Sequence, residues 1–209
     1  MTTDQPYFYA RYGHDRIETR GVNSHSFGHK IGREPGAIPD GVFAEWAWNG
    51  SQLTVKNDRY GLFQLYYCSY KNEIYLSTSI RRMLELGAPR DFDYDALAVF
   101  LRLGLFIGDD TPFKHIKSLP PDVSFLWEKG DLALGGHYPA SKPVDISENN
   151  AIDQFIALFR QSMQRRLPGD KKFILPLSGG KDSRQILLEL HHLGHDPECA
   201  ITLRPYPPY

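Results

Sequence analysis

Phe173-Ile-Leu-Pro-Leu-Ser-Gly-Gly-Lys-Asp-Ser-Arg184 is the stretch on which the second half of this chain turns. The apolar run from Phe173 to Leu177 predicts a buried strand, the glycine pair after Ser178 a sharp turn, and Asp182 onward a helix with Ile186, Leu187, Leu190 and Leu193 on one face. A helix start leaves N–H groups unpaired and carries partial positive charge, and glycines let an anion approach without Cβ obstruction. Phosphate suits such a place. Ser178 and Ser183 offer hydroxyl donors, Lys181 adds charge, and Asp182 is a carboxylate suited to a magnesium ion on those phosphates. Gly194 reads as the residue just past the helix end, and Cys199-Ala-Ile-Thr-Leu203 as a second strand, which the right-handed crossover rule lays parallel to the first. The spacing differs from the Walker loop, so a P-loop kinase or GTPase is not expected.

Upstream of the loop, Asn150 reads as a helix N-cap, with Ile152, Phe155, Ile156, Phe159 and Met163 on a stripe expected to pack on a sheet. Arg160, Arg165 and Arg166 mark its solvated side. Pro139-Ala-Ser-Lys-Pro-Val-Asp-Ile-Ser-Glu148 has two prolines and little periodicity, and is taken as the boundary between a domain at 1–143 and another at 144–209.

The first of these alternates like a β protein. Ala44, Trp46 and Trp48 interleave with Phe43, Glu45 and Ala47, Asn49-Gly50 signals a two-residue hairpin, and Leu53 with Val55 return. After the turn at Asn57-Asp-Arg-Tyr-Gly61, further strands are expected at 64–69 and 73–77, together forming an antiparallel meander. Asp58 and Arg59 read as a turn or ion pair. Helices are expected from Ser79 to Gly87 and from Asp93 to Gly104, the latter with Leu97, Phe100 and Leu101 as core, then a hairpin joining Val123-Ser-Phe-Leu-Trp127 to Leu132-Ala-Leu134. The segment with Gly21, Gly28, Gly32, Pro35, Gly36 and Pro39 reads as loop. His25 and His29 within it, and His191, His192 and His195 near a helix end, are not expected to bind metal.

Lys plus Arg number 24 against 25 Asp plus Glu, a net charge of −1, so nothing electrostatic promotes nucleic acid or an anionic membrane as partner. The chain's 2 cysteines, Cys68 and Cys199, have neither metal-site nor disulfide spacing and read as small buried hydrophobes, as suits a reducing cytoplasm. No apolar run reaches membrane-spanning length.

Ser178-Gly179-Gly180-Lys181-Asp182-Ser183 after an apolar strand resembles the signature of the N-type ATP pyrophosphatases. The order of motifs over 42–205 is similar to the asparagine synthetase superfamily, which joins a glutaminase-like domain to such a pyrophosphatase. The carriers are Phe43 to Trp48, the Asp-Arg-aromatic-Gly turn before Leu65-Tyr-Tyr67, Ile74 to Ile80, Leu119-Pro-Pro, and His137-Tyr138. The resemblance implies an α+β first domain with antiparallel sheet, partly like an Ntn hydrolase, followed by the first βαβ unit of an α/β adenine nucleotide hydrolase-like domain. It implies ATP and Mg2+ as cofactors, with Ser178, Gly179, Gly180, Lys181 and Ser183 on phosphates, Asp182 on magnesium, and Leu177 and Leu203 flanking adenine. Catalytic residues are not named by it.

Two departures shape the expected function. The family's glutaminases use a cysteine exposed after Met removal, whose own amine is the base, whereas position 2 here is Thr2. About 40 residues precede the matching region, without the family's Arg-Gly-Pro-Asp-like loop or Asn-Gly-Glu strand, so the front of the glutaminase domain is expected to be missing and glutamine hydrolysis absent. The pyrophosphatase domain is also expected to be cut short, as in the front piece of a longer protein. The resemblance then implies a cytoplasmic, ATP-dependent amide-forming enzyme that adenylates a carboxylate and passes it to ammonia or a substrate amine, as a homo-oligomer or with a partner supplying missing elements. The rival is a non-catalytic interaction or weak nucleotide-binding module.

Overall fold

The computed structural model describes residues 5–31, 40–136 and 142–202. The chain divides into two compact units, Met1–Ser141 and Lys142–Tyr209.

The first unit holds β1 (Tyr7–Gly13), β2 (Arg16–Gly21), β3 (Ser24–Ile31), β4 (Asp40–Trp48), β5 (Gln52–Asn57), β6 (Tyr66–Tyr70), β7 (Glu73–Ser77), α1 (Ile80–Leu86), α2 (Tyr94–Leu103), β8 (Lys117–Ser118), β9 (Val123–Glu128) and β10 (Asp131–Gly136). They form two antiparallel sheets, ordered β2-β1-β7-β6-β8 and β10-β9-β5-β4-β3. Alternation decides what lies between them. Phe8, Ala10, Tyr67, Ile74 and Leu76 of one sheet meet Ala44, Trp46, Leu53, Val55, Phe125 and Trp127 of the other in one buried core. On its opposite face the first sheet carries Tyr9, Cys68 and Tyr75, which Met83 of α1 covers together with Ala88 and Ile116. The opposite face of the second sheet presents Glu45, Ala47, Thr54, Lys56 and Ser124, polar enough to stand in water without a helical cover.

Three expectations are corrected here. The segment read as loop from its glycines is two strands up to Ile31, with residues 32–39 outside the described ones. Gly21 and Gly28 have φ of 92° and 74°, and a Cβ on either would collide with a carbonyl of the neighbouring strand, Tyr7 O or Val42 O. These glycines permit close strand approach rather than a loop. The expected meander is broken as well. β5 pairs with β4 and β9, whereas β6 pairs with β7 and β8, so the chain changes sheets after Asn57. The Asn49-Gly50 hairpin exists but its turn is shifted by one residue, with Asn49 N–H donating to Gln52 O across Gly50 and Ser51. Trp48 pairs with Leu53, and Asn49 acts through its side chain, accepting from the N–H groups of Ser51 and Gln52.

The helices follow their caps. Ser79 and Asp93 accept from the N–H groups of Arg82 and Ala96, and Gly87 and Gly104 close with positive φ. Only part of the α2 face is core. Ala96 is buried, but Phe100 is 38% and Leu101 83% exposed.

The second unit holds α3 (Glu148–Arg165), β11 (Ile174–Pro176), α4 (Lys181–His192) and β12 (Cys199–Ile201), with β11 and β12 parallel. α3 starts at Glu148, not after Asn150, because Ser147 is the cap and its hydroxyl accepts from Asn150 N–H. Ile152, Phe155 and Ile156 of its apolar stripe stand exposed. Cys199 is exposed too, contrary to its reading as buried. The Gly194 φ of 78° fits its place past the end of α4. No helix among the described residues is long and apolar enough to cross a membrane.

Candidate functional site

The loop between β11 and α4 is built as a turn locked by its own serines. Ser178 and Ser183 hydroxyls lie 3.2 Å apart, Ser183 Oγ also accepts from Ser178 N–H, and Gly180 N–H donates to Ser178 Oγ. Gly179 takes a φ of 78°, and a Cβ there would meet nothing within 4 Å, so the space over the turn is open. Gly180 is the helix N-cap and has no side chain with which to cap the first turn. The start of α4 therefore faces outward with its dipole and without a capping oxygen.

From the rear, Arg184 braces the same turn by donating from Nε to Gly180 O at 3.2 Å. Leu177 extends the parallel ladder, its N–H donating to Ile201 O and its carbonyl accepting from Thr202 Oγ1 at 2.6 Å. The expected site residues from Leu177 to Ser183 are thus held together, and Leu203 lies outside the described residues. Lys181 and Asp182 are exposed in the first turn. A cavity of about 640 Å³ runs beside them between α3 and α4, bordered by Lys181, Arg184 and Arg160. Arg160 pairs with Glu189 at 3.4 Å and Arg166 with the Ser162 hydroxyl at 2.7 Å, so these arginines tie helix surfaces.

Magnesium can be judged on the donors present. Among the described residues no group of three His, Cys, Asp or Glu is placed to hold a metal. One carboxylate beside an open turn is nonetheless a donor set that magnesium can use when phosphates and water complete its shell. Asp182 fits that role. At the end of α4, His191 is engaged by Asp196 at 2.8 Å.

In the first unit the structure joins two stretches 63 to 66 residues apart in sequence. Asp58 is 1% exposed, and its carboxylate accepts from four backbone N–H groups, those of Phe43, Tyr60, Leu62 and Phe63, at 3.0–3.3 Å. Beside it, Asn57 donates to Pro120 O and accepts from Val123 N–H, while Asp58 O accepts from Asp122 N–H. The pair pins the sheet-to-sheet crossing to the Leu119-Pro-Pro-Asp122 loop. A buried carboxylate with every lone-pair direction used by the backbone is a structural device, not a catalyst. Its sequence signal is an Asp opening a turn of backbone donors, a pattern that turn reading alone assigns to a local role.

The two thiols differ. Burial pushes Cys68 up to about 12, with Glu73 adding to the shift, so it is no nucleophile. The model of the glutamine amidotransferase domain family matches residues 28–138, more than half of the chain, from β3 through β10. The chain belongs to this family. This glutamine amidotransferase domain is similar to asparagine synthetase [glutamine-hydrolyzing] 1 of Bacillus subtilis (strain 168), at 24% identity over 151 residues. That match covers 70% of this chain and 24% of the relative, so the chain spans about a quarter of that protein's length. The family match ends ahead of α3, and the loop at 178–183 lies beyond it.

Proposed function

We propose that this chain is the leading portion of an ATP-dependent amide-forming enzyme, in which a glutamine amidotransferase-like domain without glutaminase activity precedes an ATP pyrophosphatase unit. The observation that carries the reading is the open turn at Gly179 between parallel β11 and the uncapped start of α4. In this reading a substrate carboxylate attacks the α-phosphorus of ATP with pyrophosphate leaving, and ammonia or an amine on the substrate then displaces AMP from the acyl-adenylate to form the amide.

The chain's own residues orient and stabilise. First-turn N–H groups of α4, the hydroxyls of Ser178 and Ser183, and Lys181 hold the leaving phosphates where charge grows in the transition state. Asp182 holds magnesium, which supplies charge neutralisation there. Arg184 keeps the turn rigid through Gly180 O, and Leu177 with Leu203 flanks adenine. The absence of glutaminase activity is supported by the burial of Cys68 and the position of Cys199 in the second unit. The two free cysteines suit a cytoplasmic location.

A second reading, an interaction module without catalysis, is favoured by the apolar surface from α2 onward, where Leu101, Leu103, Leu105 and Ile107 are all at least half exposed. Titration with Mg-ATP separates the two. The enzymatic reading expects binding that Asp182→Ala and Ser183→Ala weaken, and pyrophosphate exchange into ATP by the whole polypeptide with its carboxylate. Equal binding by wild type and Asp182→Ala, together with no exchange for any carboxylate, removes it.

A further inference from the structure

The outer face of the first sheet ends in an open pocket that the reading above does not use. Along β2, β1 and β7 the register sets Glu18 opposite Arg11 and Arg11 opposite Glu73, an alternating row of charge. Glu73 is already spoken for. Its carboxylate accepts from the Tyr9 hydroxyl at 3.2 Å and the Tyr75 hydroxyl at 2.6 Å, with Arg11 Nε at 3.6 Å. Burial first, and Glu73 next, raise both phenols, which keeps them as donors.

The next row outward is different. Arg16 pairs with Gly13, and the Tyr12 N–H bond to Asn72 O carries the register on, so that Lys71 stands on the other side of Gly13. Two strand spacings put the Arg16 and Lys71 backbones about 10 Å apart. Between them the central strand offers no side chain, and a Cβ on Gly13 would meet nothing within 4 Å. Neither Arg16 nor Lys71 makes an ion pair with a described residue. With Arg11, His14, Glu18 and Glu73 they line a cavity of about 800 Å³ that also borders Gly87.

We propose that this pocket binds an organic phosphate of about mononucleotide size, its phosphate seated over Gly13 between Arg16 and Lys71. Two long cations without an ion-pair partner that line one gap match a tetrahedral oxyanion, whose several oxygens can engage both at once. A carboxylate, with a single negative charge, neutralises only one of them, whereas a phosphate monoester carries close to two. The volume exceeds what inorganic phosphate needs and lies within the range of small-molecule sites. The Tyr70 ring, with Lys71 Nζ 5.3 Å from its centre, supplies a flat wall for the rest of the ligand.

The test is a titration of the full 15N-labelled chain with AMP, without magnesium, following backbone amides one by one. Saturable shifts are expected at Gly13, Lys71 and Asn72. Arg16→Gln and Lys71→Asn, the latter suited to the left-handed φ of 53° at that position, each weaken binding about tenfold, as loss of one charge-assisted contact would. Gly13→Leu fills the gap and abolishes binding with all charges retained. The site differs from the loop at 178–183, whose Gly179 and Gly180 amides report separately, so failure at one says nothing of the other. No saturable shift at Gly13 and Lys71, wild-type affinity in Gly13→Leu, or equal affinity for glutarate and AMP would each overturn the proposal.

Discussion

Replacing Asp58 by Asn changes one atom and tests the hub that joins the two sheets. The carboxylate feeds four backbone donors, two on each oxygen: Tyr60 and Leu62 on Oδ1, Phe43 and Phe63 on Oδ2. Asn keeps the shape and one of those oxygens. Whichever way the amide turns, two N–H groups lose their acceptor and face an NH2 group instead. At about 1–3 kcal/mol for each buried donor left unsatisfied, the expected loss is about 2–6 kcal/mol. Urea unfolding read by tryptophan fluorescence measures it cleanly, because all 3 tryptophans, Trp46, Trp48 and Trp127, lie in the first unit. With a slope of about 2 kcal/mol per molar urea, the midpoint falls by about 1–3 M at unchanged slope. Arg59→Gln is the control, since among the described residues the Arg59 side chain makes no hydrogen bond or ion pair and lies 5.9 Å from the Tyr60 ring centre. A midpoint for Asp58→Asn within error of Arg59→Gln would refute the idea that these hydrogen bonds hold the crossing.

Gly28→Ala should cost about 2–4 kcal/mol, from positive φ plus collision with the Val42 carbonyl, whereas Gly50→Ala, strained but sterically free, should cost about 1–2 by the same fluorescence measurement; equal losses would sink the close-approach argument. Ellman's reagent should titrate Cys199 at once and Cys68 only in denaturant. Because the Cys68 thiol is raised from 9.0 to about 12 in the fold, the unfolded chain gives up that proton first: its stabilising contribution is whole below pH 9 and fades toward pH 12. Cys68→Ala should therefore flatten the stability profile between about pH 9 and 10, before the burial-raised tyrosines Tyr9, Tyr66, Tyr67 and Tyr75 add to the fall. In the second unit Ser147→Ala should lower the thermal stability of α3 by about 1 kcal/mol by circular dichroism and Asn150→Ala by much less, the reverse placing the cap at Asn150.

What the sequence disclosed was local. Lys129-Gly130 makes its two-residue turn with both φ positive, Ser79 and Gly87 bracket α1, and β11, α4 and β12 follow the expected strand, helix and parallel strand. Each of these depends on residues within a few positions of one another. The β1–β2 hairpin was hidden because His14 and Asp15, not Asn-Gly, occupy its left-handed positions. Pairing partners such as β1 with β7, or β5 with β9, leave no trace in a two-residue period. The order of serines and glycines disclosed the turn at 178–183, but the Arg184 brace depends on a side-chain rotamer. Glycine was the recurrent ambiguity: the same residue marks an open turn at Gly179 and a crowded strand crossing at Gly28.

The place of β1 in its sheet has a bearing on biosynthesis. β1 is an interior strand, flanked by β2 and β7, yet β7 is completed 56 residues after β2 ends. At about 5–20 residues per second, a nascent hairpin of β1 and β2 waits roughly 3–11 s on the ribosome with one edge unpaired. The backbones of Phe8 and Ala10 lack their ladder partners Leu76 and Ile74 throughout that interval. A translational pause before Ser77 would lengthen the exposure of an aggregation-prone edge, and one after it would not.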